Sequence, residues 1–261
     1  MRVRLLRAPN PGLFTREGTN TWLIESGGAA AVVDPGPVIS SHMTAIRLAL
    51  EGLEPAAVLV THTHPDHAPA ANPLAAGLGV PTYGCGPGPG FVPDVEVGDG
   101  QPVPVGDAEV IAVHTPGHTA DHVCYLSGSA LFSGDHVIGG STVMVEHMAE
   151  YMDSLRRLSK LDIEVIYPGH GPVISNPGEV LEHYLEHRLS REQQILDAVR
   201  GGADTLGAVV AAVYSEVDRS LHFAAAQSVG AHLRKLGEEG LVEIPMGADD
   251  WGAPVHAGGS S

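Results

Sequence analysis

Three histidines and an aspartate fall within seven residues, THTHPDH at 61–67. In an extended segment alternate side chains share a face. His62, His64 and Asp66 can therefore lie on one side of a strand-end loop, with His67 following at once. Imidazole and carboxylate are ligands for a transition metal: zinc first, with manganese or iron open on ligand type alone. Three further positions have the same setting: His118 in HTPGHT, Asp135 in FSGDH and His170 in YPGHG. Each follows a short apolar stretch, and each has glycine close by. Glycine lets the backbone turn tightly, and loops at strand ends are where functional groups gather.

The count divides into two sites. His62, His64 and His118 make one, Asp66, His67 and His170 the other, and Asp135 can bridge them through its two oxygens. Each ion then keeps room for a shared water, the open coordination of a catalytic centre. A structural zinc would be closed by four protein ligands, and neither Cys85 nor Cys124 is near these motifs. Two metals ~3.5–4 Å apart hold a hydroxide between them and polarise the substrate oxygen, so a nucleophile exists without serine or cysteine.

The elements that must carry these loops read as alternating strands and helices. RVRLL, NTWLIE, AAAVVD and AAVLV are strands, and ISSHMTAIRLALEGL has helical spacing. HAPAANPLAAGLG starts a helix that Pro73 should interrupt or kink. GCGPGPGFVPD is a loop flanked by Tyr83 and Phe91, candidates to line a substrate entrance. VEVGDG, QPVPV, EVIAVHT, HVCYL and ALFSGD continue the strands. MAEYMDSLRRLSKL is an amphipathic helix, EVIYPGHG a strand ending in a loop, and GEVLEHYLEHRLSREQQILDAV a long helix. The class is α/β. After Gly201-Gly202 the character changes to helix, helix and short strand, with Val229, Leu233 and Leu236 on one helix face. By pattern alone this is a small winged helix-turn-helix or a helical lid. GADDWGAPVHAGGSS reads as a loose tail.

The four metal motifs resemble those of the metallo-beta-lactamase superfamily, in order and with spacing intact, from about residue 15 to about residue 190. GTNTWLI, TPGHTADH, YPGHGPVI and HRLSREQQIL are similar to the beta-lactamase-like protein 2 family, whose winged-helix-like C-terminal region fits 204–245. The resemblance implies a metallo-beta-lactamase αββα sandwich at 1–200 and a small winged-helix-like domain at 201–261. It implies two zinc ions per chain on the seven ligands. It also gives Asp66 the further role of orienting the hydroxide and receiving a proton. It places Asn20 at the pocket border, where a plain turn residue is the alternative. It is compatible with a homodimer.

True lactamases of the superfamily generally lack the bridging aspartate, and Asp135 is present. The chain end does not look like the glutathione-binding helices of glyoxalase II, and no insertion fits a nuclease cap domain. Two substrates remain: single-stranded RNA, taken first because of the winged-helix-like end, and acyl thioesters, carrier-borne or glyoxalase II-like. A non-enzymatic DNA-binding regulator ranks third, since AAAQSVGAHLRKLG is mostly apolar rather than a basic recognition helix. The net charge of −17 works against nucleic acid. Acidic residues also outnumber basic ones between Arg191 and Glu243.

Other histidines carry two readings. His122 either orients a ligand from behind or bonds to backbone, and His114 packs near the site or is simply structural. His136 should point away from Asp135 in extended chain. His183, His187, His222 and His232 fall on helices away from the metal motifs. Two cysteines make no disulfide framework. No apolar run approaches ~20 residues, and the basic start lacks a secretory signal's apolar stretch. The sequence reads as that of a cytoplasmic protein without a membrane partner.

Overall fold

The strands read in the first third of the chain have direct counterparts in the computed structural model, which describes residues 1–216, 222–244 and 252–258. Contacts divide the chain into two units. The first spans residues 1–116, 121–143 and 160–180. It holds a six-stranded sheet in the order β1 (Arg2–Arg7), β2 (Asn20–Ser26), β3 (Ala29–Val33), β4 (Glu54–Leu59), β5 (Thr82–Gly84) and β6 (Val95–Glu96). A second sheet holds β7 (Pro102–Val105), β8 (Ala108–His114), β9 (Val123–Ser127), β10 (Ala130–Gly134) and β11 (Val165–Pro168), ordered β11-β10-β9-β8-β7.

One parity of each strand points between the sheets. Trp22, Ile24, Val33 and Leu59 meet Val103, Val105, Val110, Tyr125 and Phe132 in one buried cluster. The other parity of the first sheet, Leu23, Val32 and Val58 among them, packs against α1 (Ser40–Ala49) through Met43 and Ile46. It also meets α2 (Ala71–Leu78) through Leu74 and Ala75. β3 is covered on both faces, which is why it reads as an unbroken apolar run. Each large apolar side chain so buried contributes roughly 1.5–3 kcal/mol.

Two expectations change. Pro73 neither breaks nor kinks a helix: it lies in the first turn of α2, where its missing N–H would have had no intrahelical partner. Phe91 does not line an entrance. It is buried in the α1–α2 cluster beneath Gly84, where a Cβ would stand 2.6 Å from its ring.

Strand direction gathers the functional loops. β3 pairs parallel with β4 and β10 parallel with β11, while β8 and β10 are both antiparallel to β9 and so share a direction. Asp34, His62, Asp135 and His170 all follow the C-terminal ends of such strands, the usual ligand edge of a sheet with parallel strands.

The second unit spans 117–120, 144–159 and 181–261. It contains α3 (Met148–Leu158), most of α4 (Pro177–Arg200), α5 (Leu206–Val213), α6 (His222–Glu238), β12 (Val242–Glu243) and β13 (His256–Ala257). Apolar packing ties these pieces together. Ile195, Leu196 and Val199 of α4 share a core with Val209 of α5 and with Val229, Leu233 and Leu236 of α6, and α3 contacts α6. His183 and His187 lie on α4 and His232 on α6; the His222 side chain lies outside the described residues. Part of the tail is ordered against expectation. β13 pairs antiparallel with β12, Val255 is buried, and Leu206 N donates to Ala253 O at 3.2 Å. The remainder of that stretch, 247–251 and 259–261, lies outside the described residues. Among the described residues no helix is long and apolar enough to cross a membrane.

Candidate metal centre

β4 runs into the loop that carries THTHPDH, and the loop folds its ring nitrogens toward one place. His62 Nε2 lies 2.9 Å from His64 Nδ1, and His67 Nε2 lies 3.1 Å from His170 Nε2. Asp66 Oδ2 stands 3.1 Å from His170 Nε2 and 3.5 Å from His67 Nε2. The two oxygens of Asp135 stand 3.5 Å from His67 Nε2 and 3.4 Å from His170 Nε2. His62, His67 and Asp135 form one group whose ligand atoms lie within 4.8 Å of one another, and Asp66, His67 and His170 form another.

These spacings suit a cation. Tetrahedral zinc with Zn–N bonds of ~2.0–2.1 Å sets its ligand atoms roughly 3.3 Å apart. Electrostatics agrees. Burial alone would depress the His67 ring, but the carboxylates of Asp135, Asp34 and Asp66 outweigh it and hold the ring well above its ordinary value. His170 is likewise opposed by burial, yet Asp135 and Asp66 raise it to about 9. Burial pushes the Asp135 carboxyl up, and His67 and His170 overcome this to hold it well below the usual range. The cluster therefore draws positive charge. Two protonated rings would aim N–H groups at each other across 3.1 Å. Metal ions supply the charge while taking the ring lone pairs as ligands. The residues fit such a group.

Close backbone approach makes the arrangement possible. A Cβ on Gly169 would stand 2.6 Å from both Asp135 Oδ1 and His67 Cε1, so only glycine lets the β11 loop bring His170 this near. Asn20 is buried and donates through Nδ2 to the carbonyls of Pro168, at 3.0 Å, and Gly171, at 2.9 Å. It holds the chain on both sides of His170. His122 is buried, with Nδ1 3.0 Å from Thr115 Oγ1 and its ring stacked on His62 at 5.1 Å. His136 lies beside it at 5.6 Å.

His118 belongs to the second unit. Its Nδ1 lies 2.7 Å from Met144 O, a bond that leaves Nε2 as the ligand-type nitrogen.

Asp34 escaped the sequence reading. Its Oδ1 accepts from Thr61 N at 2.8 Å; its Oδ2 accepts from Thr61 Oγ1 at 2.7 Å and lies 2.9 Å from His67 Nδ1. This turns His67 Nε2 toward the cluster and pins the start of the HTHPDH loop. Asp34 does so in left-handed backbone, φ 49°. A usable signal existed: an acidic residue straight after the apolar run AAAVV, before Pro-Gly, at the end of a buried strand.

Residues 14–170 match the family model described as the metallo-beta-lactamase superfamily, and residues 205–251 match the beta-lactamase associated winged helix domain. A beta-lactamase-like protein 2 homolog of Drosophila melanogaster is 35% identical, over 95% of this chain and 91% of that protein. A protein of Aspergillus novofumigatus named atrochrysone carboxyl ACP thioesterase is 33% identical, over 94% of this chain and 81% of that one. The crystal structure of a metallo-beta-lactamase family protein from Thermus thermophilus superposes with a TM-score of 0.79 over 98% of each chain, at 22% identity. The fold expected from the sequence, a metallo-beta-lactamase αββα sandwich with a winged-helix-like C-terminal domain, is thus shown.

Proposed function

The chain belongs to the metallo-beta-lactamase superfamily and is a hydrolase of that superfamily, and from that premise we propose that it cleaves acyl thioesters. The observation that carries this reading is the relative named as an acyl carrier protein thioesterase, similar over 94% of the chain. The second unit supports it. Arg234 donates to Glu146 O at 2.9 Å, and Lys235 sits between Glu192, at 2.9 Å, and Glu239, at 2.7 Å. The cations of α6 are engaged within their own unit rather than set in a row for phosphates.

The proposed ligands are His62, His64 and His118 for one zinc ion and Asp66, His67 and His170 for another, with Asp135 reaching both. When bound, such ions supply an activated water and polarise the carbonyl under attack. The chain's own residues do the rest. Asp66 is the more exposed of the two carboxylates, 26% against 15% for Asp135. It orients the nucleophile and receives its proton. Asp34 and Asn20 set the rings of His67 and His170, and His122 backs His62. Thioester cleavage releases a thiol, a better leaving group than an alkoxide.

Single-stranded RNA is the second reading, favoured by the match to a winged helix domain at 205–251. The regulator reading is not retained, because the chain belongs to a hydrolase superfamily. The test pairs metal-loaded protein with an acyl-pantetheine thioester, following free thiol, and with labelled single-stranded RNA. Thiol release without RNA cleavage is expected; RNA cleavage without thiol release overturns the order. Zinc, a division into hydrolase and winged-helix-like parts near residue 200, a cytoplasmic setting and a homodimer remain proposals. Metal analysis, limited proteolysis, fractionation and light scattering test them in turn.

A further inference from the structure

We propose that Arg7 and Arg16 form an anion subsite beside the metal centre that takes the phosphate of a phosphopantetheine arm. The proposal rests on the thioesterase reading.

The chain has 31 acidic residues against 14 Lys and Arg, so a cation readily finds a carboxylate. Arg4, on the same strand as Arg7, does so with Glu25. Among the described residues Arg7 and Arg16 make no ion pair. Neutral oxygens beside the site aim them instead. Arg7 Nε donates to Asn20 Oδ1 at 3.3 Å, and Asn20 holds the carbonyls flanking His170. Arg16 Nη1 donates to Gly139 O, and it lies 3.0 Å from where a Cβ on Gly171 would stand. Arg16 therefore borders the loop one residue beyond His170, and Arg7 is linked to the same loop through Asn20.

Their support is built rather than incidental. Residues 12 and 16 exchange backbone bonds of 3.1 and 2.8 Å, and Ala8 N donates to Thr19 O at 2.9 Å. Gly18 O faces His170 Nδ1 at 3.5 Å. Arg16 takes φ 55°, a left-handed conformation that costs energy for any residue with a Cβ. Such an outlier points to function when the surroundings enforce it. Guanidinium is the side chain best matched to phosphate oxygens. Pantetheine thioesters carry one phosphate at the other end of a flexible arm, whose many rotatable bonds let it fold back toward the reacting carbonyl, whether the arm is free, part of coenzyme A or fixed on a carrier protein.

The experiment compares acyl-4′-phosphopantetheine with acyl-pantetheine, using wild-type, R7Q, R16Q and R16G proteins loaded with metal. R16G separates the guanidinium from the backbone, since glycine accepts φ 55° without strain. The parent should favour the phosphorylated substrate at least tenfold in kcat/KM, mainly through KM. Each variant should bring that ratio toward one. Calorimetry with 4′-phosphopantetheine alone should show binding to the parent and at least a tenfold loss in R16G. Acyl-coenzyme A and an acyl-carrier protein, run alongside, should show the same arginine dependence, and the faster of them identifies the source. A parent that hydrolyses both pantetheine esters equally overturns the subsite while leaving a thioesterase. A parent that hydrolyses neither overturns the thioesterase reading, and the subsite with it.

Discussion

Consider Asp34→Asn. Asp34 is 1% exposed, and its carboxylate makes three contacts, two to Thr61 and one to His67 Nδ1. Asparagine keeps the shape and tolerates left-handed backbone, so φ 49° adds little to the change. Its retained oxygen can still accept from Thr61 N. Its amide then faces Thr61 Oγ1, which can rotate to accept, and His67 Nδ1, which must accept as well. The proton of His67 is driven to Nε2, where the ligand lone pair belongs. Loss of a partner behind a metal-bound imidazole typically costs about 10–100-fold in metal affinity, or about 1.4–2.8 kcal/mol. A mismatched buried contact costs the fold roughly 1–3 kcal/mol. The assay is zinc titration of stripped protein against a coloured chelator, with the thermal midpoint recorded on the stripped form. Asp34→Ala, which removes both carboxylate oxygens and all three contacts and puts alanine at positive φ, should lower the midpoint further. If Asp34→Asn binds zinc and turns over like the parent, the assignment of Asp34 as the group that orients His67 is wrong.

Three more outcomes are expected. His64→Ala should abolish hydrolysis and lower metal content while the circular dichroism spectrum is preserved; full activity at undiminished metal content would remove His64 from the site. Gly169→Ala should reduce kcat/KM at least tenfold, because its Cβ meets Asp135 and His67 at 2.6 Å; an unaffected variant would mean that the loop can move aside freely. His187 is held down to about 4, by burial first and then by Arg188 and Arg191. The unfolded chain therefore binds the extra proton between that value and about 6.5. Stability from this group is full above about pH 6.5 and is lost as pH falls toward 4. Chemical denaturation across that window should show the slope, and His187→Asn should flatten it.

The candidate ligands could be named because imidazole and carboxylate are chemically distinctive and their settings recur: His62, His64, Asp66 and His67 stand together after a buried strand, while His118, Asp135 and His170 each follow a strand with glycine beside them. Asp34 was not, since a single acidic residue after a strand resembles any turn, and its role appears only when His67 comes back to it from 33 positions away. Pro73 was misjudged because a proline's effect depends on which turn of the helix it occupies, and that boundary is set by packing of Leu74 and Ala75 on the sheet. Phe91 sat in a loop by composition, yet the space under Gly84 drew it inward. The β12–β13 pair was hidden for a similar reason: two-residue strands carry no periodicity, and it is the burial of Val242, Ala253 and Val255 that marks the pair.

The discontinuous make-up of the second unit bears on how the protein is made. A ribosome delivers α3 early, but its partner α6 emerges roughly 60 residues later, which is roughly 3–12 s at ~5–20 residues per second. During that interval α3, whose Tyr151, Met152 and Leu155 are fully buried in the finished molecule, lacks the α6 that it contacts there. Val255 and its bond to Asp204 O come later still. Nascent chains arrested before residue 222 should therefore be the species most readily captured by chaperones, and release past residue 257 should end that capture.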